Sequence, residues 1–192
     1  MEFRPYPYQQ YCVEQIIKKP AVALWLDMGL GKTAITLTAI QKLMYDRFEV
    51  SRVLVIAPKK VAEATWQDEA ANWDNLSGLT FSLIAGSGSA RIAALPENSQ
   101  ADIYILGRDN VQWLADLYKS RWPFDMVVLD EATSFKNHQS KRFRALKSER
   151  MNISRIVELT GTPAPNGLLD LWAQMKLLDG GQRLGARFTS YR

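Results

Sequence analysis

The octapeptide Leu26-Asp27-Met28-Gly29-Leu30-Gly31-Lys32-Thr33 stands at the end of an apolar run, residues 21–26, and ahead of a stretch with helical spacing, residues 32–44. No other feature restricts the fold of this chain as strongly. A strand that enters a glycine-bearing turn and then a helix is the context that separates a phosphate-binding loop from a chance pair of glycines. Gly29 and Gly31 let the backbone approach a phosphate chain without a side-chain clash. The amides of the loop, those of Met28 and Leu30 included, and the first turn of the helix supply donors and a positive dipole end. Lys32 can reach the outer phosphates, and the Thr33 hydroxyl suits a Mg²⁺ ion. One position departs from the spacing G-x-x-x-x-G-K, because Leu26 stands where a small residue is usual.

The remaining apolar runs fit the same plan. Strands are expected at residues 21–26, 52–57, 80–84, 102–106, 126–129 and 153–159, with helical spacing at 10–18, 32–44, 61–73, 110–119 and 168–178. Strand and helix alternate, which predicts an α/β fold with a mostly parallel sheet. Met126-Val127-Val128-Leu129 has the unbroken apolar character of a parallel strand buried on both faces. No linker or repeat interrupts the pattern, so residues 1–192 are expected to form one domain. The ligand is expected at the carboxyl ends of its strands.

Composition narrows the chemistry. With 47% hydrophobic residues the chain can bury a core, and its formal charge of +4 permits a polyanionic partner without demanding one. Cys12 is the only cysteine and His138 the only histidine, which excludes an intrachain disulfide, a cysteine-rich zinc site and a multi-histidine metal site. No window approaches the roughly 18 uninterrupted apolar residues of a membrane span, and Met1-Glu2-Phe3-Arg4 lacks the apolar core of a signal peptide. The expectation is a soluble protein of a reducing compartment, cytoplasmic or nucleoid-associated, with no membrane partner.

Two further motifs carry chemistry. Val127-Val128-Leu129-Asp130-Glu131-Ala132-Thr133 ends an apolar strand in two acids. This puts carboxylates at the carboxyl edge, close to the loop if the two strands are neighbours. Asp130 is suited to Mg²⁺, and Glu131 to polarising the water that attacks a γ-phosphate. Alone, the pair reads equally well as a strand end with solvated acids; Lys32-Thr33 upstream tips it toward function. Leu159-Thr160-Gly161-Thr162-Pro163-Ala164-Pro165-Asn166 places two hydroxyls around a glycine beyond another strand, and as bare chemistry it is also an ordinary turn.

In this order, Tyr8-Gln9, Asp27-Met28-Gly29-Leu30-Gly31-Lys32-Thr33, Asp130-Glu131-Ala132-Thr133, Phe135-Lys136-Asn137 and Leu159-Thr160-Gly161-Thr162-Pro163 resemble the motifs of superfamily 2 helicases. The wording is similar to the Swi/Snf-type branch of DNA translocases, and most like its compact phage and bacterial members. The resemblance runs from Arg4-Pro5 to Leu171-Trp172. It implies the N-terminal RecA-like domain of a P-loop ATPase, a three-layer αβα sandwich, acting with ATP and Mg²⁺ on duplex DNA. It further implies that Gln9 reads the adenine edge, with Gln10 as the other candidate. Thr160 and Thr162 would couple the nucleotide state to domain movement. Lys59 and Lys60, after Ala57-Pro58, would meet the nucleic-acid backbone or be solvated lysines.

Two departures from that family are visible. Thr133 stands where it often has histidine, and the second, arginine-supplying RecA-like domain would lie beyond Arg192. Arg183, Arg187 and Arg192 match no arginine motif. The basic run from Lys136 to Arg150 reads as an amphipathic helix with a cationic face, solvated or DNA-contacting. Three other classes fit the sequence less well. In ABC-type transport ATPases a loop similar to Asp179-Gly180-Gly181-Gln182-Arg183 precedes the acidic strand, the reverse of the order here. A small-molecule kinase needs an arginine-rich lid. A non-enzymatic nucleotide-binding regulatory module would not need Lys32, Asp130 and Glu131 intact.

Overall fold

A computed structural model describes residues 1–191 of the chain. Its strands are β1 (Ala21–Trp25), β2 (Val53–Ala57), β3 (Phe81–Ile84), β4 (Ile103–Gly107), β5 (Met126–Asp130) and β6 (Arg155–Thr160). All pair in parallel in one sheet of order β1-β6-β5-β2-β4-β3. The central strand β2 is buried at every position, and β5 at all but its last. That is the physical reason their sequences are unbroken apolar runs.

Alternate residues of each strand feed two cores. Val53, Val55, Val128, Val157 and Leu159 meet α1 (Pro7–Lys18), α2 (Lys32–Gln41) and α3 (Trp66–Ala71) on one face. Leu54, Ile56, Val127, Leu129 and Ile156 meet α5 (Val111–Tyr118), α6 (Lys141–Glu149) and α7 (Asp170–Asp179) on the other. Short α4 (Gly88–Ala93) follows β3, and α8 (Phe188–Tyr191) closes the described chain, with Phe188 and Tyr191 packed on the second core.

Helix boundaries differ from the periodicity for local reasons. α1 starts at Pro7, three residues early, because proline tolerates the first helical position and the Tyr6 amide donates to Gln9 Oε1 at 2.9 Å. The stretch 32–44 is α2 followed by a π-helical turn, Lys42–Asp46, and the stretch 61–73 is a π-helical turn, Val61–Thr65, followed by α3. The amphipathic basic helix forms as α6, capped by Ser140 and buried through Phe143 and Leu146. α7 ends at Gly180, whose φ of 71° supplies the left-handed stop.

The expected strands are one residue too long at their starts in three places, Arg52, Thr80 and Asp102. Those residues sit in the turns of the amino edge of the sheet. There the Asp125 carboxylate accepts from the amides of Ser51 and Arg52 at 2.8 and 3.0 Å. Asp102 does the same for the Thr80 amide and hydroxyl, both at 2.8 Å. Side-chain carboxylates thus close one edge. The opposite, carboxyl edge carries the glycine loop, the Asp130-Glu131 pair and the Thr160–Thr162 turn. Among the described residues, no helix is long and apolar enough to cross a membrane.

Candidate functional site

At the carboxyl end of β1, Gly29 and Gly31 have φ of 81° and 75°, a left-handed conformation that L side chains rarely adopt. Gly31 is the N-cap of α2, whose first residue is Lys32. The Lys32 ammonium donates to the carbonyls of Leu26 and Asp27 at 2.8 and 2.9 Å, so it lies along the loop it follows. Met28 is 88% exposed and Leu30 is 37% exposed, so it is the backbone of this loop that shapes the cradle. The departure at Leu26 has a simple explanation, for its side chain packs on the first core.

The sequence put the acids near the loop on the condition that their strands are neighbours, and that condition is not met. The loop strand β1 and the acidic strand β5 are not neighbours, because β6 lies between them. The two motifs are joined by the turn at the end of β6. Thr160, fully buried, ends that strand opposite Trp25, and its hydroxyl oxygen accepts from the Thr162 amide at 3.1 Å. A Cβ placed on Gly161 would lie 3.3 Å from the Leu26 carbonyl oxygen and 3.5 Å from the Asp27 Cα. Glycine therefore lets the Thr160–Thr162 turn lie against the loop backbone, which the sequence alone left as a possible ordinary turn.

Asp130 is the last residue of β5 and points to the α2–α3 side, where the Trp66 indole N–H donates to Oδ2 at 2.9 Å. Burial pushes its carboxyl above the usual carboxylate range. The indole hydrogen bond opposes that shift, the negative charge of Glu131 adds to it, and the Glu131 amide and the Lys32 charge oppose it. Glu131 is held at φ 57° and ψ 57°, a left-handed conformation for a non-glycine residue, and starts the 3-10 turn Ala132–Phe135. Such backbone strain, about 1–3 kcal/mol, persists where surrounding structure enforces it, and it concentrates at functional sites.

Gln9 bridges two segments. Besides accepting from Tyr6, it donates through Nε2 to the Leu30 carbonyl at 3.3 Å, and it is 6% exposed. A Cβ on Gly31 would fall 2.7 Å from that Nε2, a second reason for glycine there. Gln10, the other candidate, turns away to Glu14 at 3.3 Å. Gln9 also lines a cavity of about 620 Å³ together with Phe3, Arg4, Tyr6, Tyr8 and Gly29. Thr33 is half-buried in the first turn of α2. Lys59 and Lys60 are exposed at the start of the helical run after β2, with Lys59 3.9 Å from Glu63. Sequence reasoning missed Trp66, because it is one of six tryptophans and nothing in its neighbourhood sets it apart from a packing residue. It named Tyr8 only as the neighbour of Gln9 and did not foresee that its hydroxyl donates to Leu30 O at 3.2 Å.

The chain matches the SNF2-related domain family over residues 8–183. It is 41% identical over 194 aligned residues to protein p41 of Acyrthosiphon pisum secondary endosymbiont phage 1, covering 98% of this chain and 42% of that protein. It is 33% identical to the mouse DNA excision repair protein ERCC-6-like, covering 85% of this chain and 13% of that one. The yeast TATA-binding protein-associated factor MOT1 is 34% identical over 81% of this chain, and the match takes up 9% of MOT1. The chain thus spans less than half the length of each of these relatives. Among solved structures, the Sulfolobus solfataricus SWI2/SNF2 ATPase core in complex with dsDNA superimposes with a TM-score of 0.81 at 26% identity, over all of this chain and 38% of that one. The αβα sandwich with its all-parallel sheet is RecA-like, and the chain belongs to the SNF2-related family of helicase-like P-loop ATPase domains.

Proposed function

We propose that this chain binds and hydrolyses ATP as one half of a motor that moves along duplex DNA. The observation that carries the reading is the convergence, at one sheet edge, of the left-handed glycine loop, Lys32 and the partly buried carboxylate Asp130, with the Thr160–Thr162 turn of β6 between them. ATP fits this edge. Lys32 already donates to two neutral carbonyls, and exchanging them for phosphate oxygens gives charge-assisted contacts of about twice the strength. The amides from Met28 to Thr33 would cradle the phosphates.

Thr33 and Asp130 are the hard oxygen donors that would hold Mg²⁺, a choice that suits a carboxylate at a phosphate cradle. The ion, when bound, neutralises charge developing on the phosphates. Glu131, fixed beside Asp130 by its backbone conformation, orients the attacking water and takes its proton. Gln9 keeps one amide hydrogen and one lone pair beyond its two protein contacts, enough for paired hydrogen bonds to an adenine edge.

Thr160 and Thr162, packed on the loop backbone through Gly161, couple the nucleotide state to movement of a second RecA-like domain, present in a longer form or in trans. Lys59 and Lys60 meet the phosphate backbone of duplex DNA, the partner seen with the Sulfolobus core. The setting proposed is the cytoplasm or nucleoid.

The test is steady-state hydrolysis at saturating ATP and low salt with duplex DNA titrated in. It should be run on this chain alone and on a form carrying a second RecA-like domain. The chain alone should turn over slowly with little stimulation, since an arginine supplied from a second domain is worth about 10³–10⁵ in rate. Strong DNA-stimulated turnover by the chain alone would remove the need for a second half. Absence of any ATP binding would remove the reading itself.

A further inference from the structure

Trp66 is fully buried, and its indole N–H makes a 2.9 Å hydrogen bond to Asp130 Oδ2 across 64 residues of sequence. It belongs to an unbroken helical run that leaves β2 after Pro58 and starts at Lys59 and Lys60. That run begins with the Ala62 amide donating to the Pro58 carbonyl at 2.9 Å, passes through the π-helical turn Val61–Thr65 and continues as α3. Single π turns inside helices are rare, and those that occur lie frequently at functional sites. Here the turn fixes the angular position of Trp66 relative to the strand end it leaves. A tryptophan needed only for packing would place its ring in the first core, as Trp66 does. Its one donor would then be free to meet any acceptor, yet it meets the carboxylate at the nucleotide edge.

We infer that Trp66 is a positioning residue. Its indole N–H holds the Asp130 carboxylate in the rotamer that meets a nucleotide-bound divalent cation, and it ties that carboxylate to the helical run starting at Lys59 and Lys60. The inference rests on the proposed ATP and Mg²⁺ reading and adds a residue to it. A carboxylate on the last residue of a strand turns about two side-chain bonds. One hydrogen bond from a rigid, buried ring restricts that freedom and leaves the carboxylate oriented before the ion arrives. Outer partners of this kind are typically worth about 10–100-fold in metal affinity.

The experiment measures ADP and ATP binding by calorimetry in excess Mg²⁺ and in EDTA, for the wild type, Trp66→Phe, Asp130→Ala and the double variant. Trp66→Phe keeps a buried aromatic ring and removes the donor. The ratio of affinities with and without Mg²⁺ should fall about ten-fold or more, while affinity in EDTA holds. In the Asp130→Ala background the second substitution should change that ratio no further, because its effect passes through a group already removed. Equal losses in Mg²⁺ and EDTA, or full additivity in the double variant, would make Trp66 a packing residue and overturn the inference. A wild type whose nucleotide affinity ignores Mg²⁺ would overturn the Mg²⁺ part of the proposed function first and this inference with it.

The unmutated chain supplies a second readout. Among its six tryptophan indole ¹⁵N–¹H signals, the one in contact with Asp130 should shift when Mg²⁺ is added to the nucleotide complex. An unmoved signal would equally end the proposal.

Discussion

Glu158 is the least comfortable side chain in this fold, and replacing it should strengthen the protein. It sits in the middle of β6, paired opposite Ala23 on one side and Leu129 on the other, with no solvent exposure. Neither of its carboxyl oxygens has a hydrogen-bond partner among the described residues. The cation that acts on it, Arg150, is engaged elsewhere, donating to the carbonyls of Ile153 and Leu178 at 2.9 and 3.0 Å and to that of Leu177. Burial pushes the Glu158 carboxyl well above the usual carboxylate range. The charge of Arg150 pulls it back in part, and Asp179 pushes it further up. A buried polar group left without a partner costs about 1–3 kcal/mol. Glu158→Leu removes that cost at similar volume, while Arg150 keeps its carbonyl acceptors. The gain should be about 1–3 kcal/mol, and at roughly 2–4 °C per kcal/mol for a domain of this size the melting temperature should rise by several degrees.

The pH dependence has a definite sign. Folded Glu158 holds its proton to higher pH than unfolded Glu158, so the native state binds more protons between the ordinary carboxylate value of 4.5 and the raised one. Wild-type stability therefore falls as pH rises through that window, and the Leu variant loses this slope. Urea unfolding of both proteins at about pH 5 and about pH 8 measures it, and the advantage of the variant should be larger at the higher pH. A variant that is less stable than the wild type, or whose advantage is the same at both pH values, would refute the reasoning.

Three predictions concern the site itself. Lys32→Ala should weaken ATP binding strongly by stripping a charge-assisted contact from the phosphates, and equal affinity of mutant and wild type by calorimetry would end its assignment. Glu131→Gln, which keeps size and hydrogen bonding but removes the charge, should collapse turnover by about 10²-fold or more while nucleotide affinity persists. Near-normal turnover would move the base elsewhere. Gln9→Ala should bring ATP and GTP affinities together, because a site built for hydrogen bonds discriminates by leaving groups unpaired. It should also lower stability by about 1 kcal/mol through the lost contacts to Tyr6 and Leu30. A wild type that binds both nucleotides equally would take the base-reading role from Gln9.

Much of the fold was legible because burial on both faces leaves a one-dimensional trace. All six strands stand where apolar runs predicted them, and α2 starts at the expected Lys32. The order of the strands was not legible, since each run constrains only its own burial and not its neighbour. That is why the sequence could place the acids near the loop only on the condition that their strands are neighbours, whereas β6 separates them. The π-helical turns were equally invisible, because each is a single turn inside an otherwise helical run and carries no residue signature of its own. Glu158 broke the apolar pattern of its strand without revealing that its partners would be missing.

At the site, the legible residues were those whose chemistry is carried by local spacing. Gly29, Gly31, Lys32 and Thr33 form one loop, and Asp130 and Glu131 end one strand. The residues that hold this chemistry in register come from far away in sequence; Gln9 and Gly161 stood out only through the order of the family motifs, and Trp66 not at all. Gln9 reaches Leu30 across 21 residues, Trp66 reaches Asp130 across 64, and Gly161 lies against Leu26. Each of these three meets the loop or the acid through a single group, an amide, an indole N–H or a missing Cβ. Tryptophan, glutamine and glycine are also what a core, a helix start and a turn would use, so residue type alone cannot separate support from packing. The separation comes from direction. Gln9 and Trp66 each aim a donor at the carboxyl edge of the sheet, and Gly161 withholds a side chain from it. β6 is therefore not an obstacle between the two halves of the site but the element that joins them: its terminal Thr160–Thr162 turn rests on the loop while β5, hydrogen-bonded along its other side, delivers Asp130.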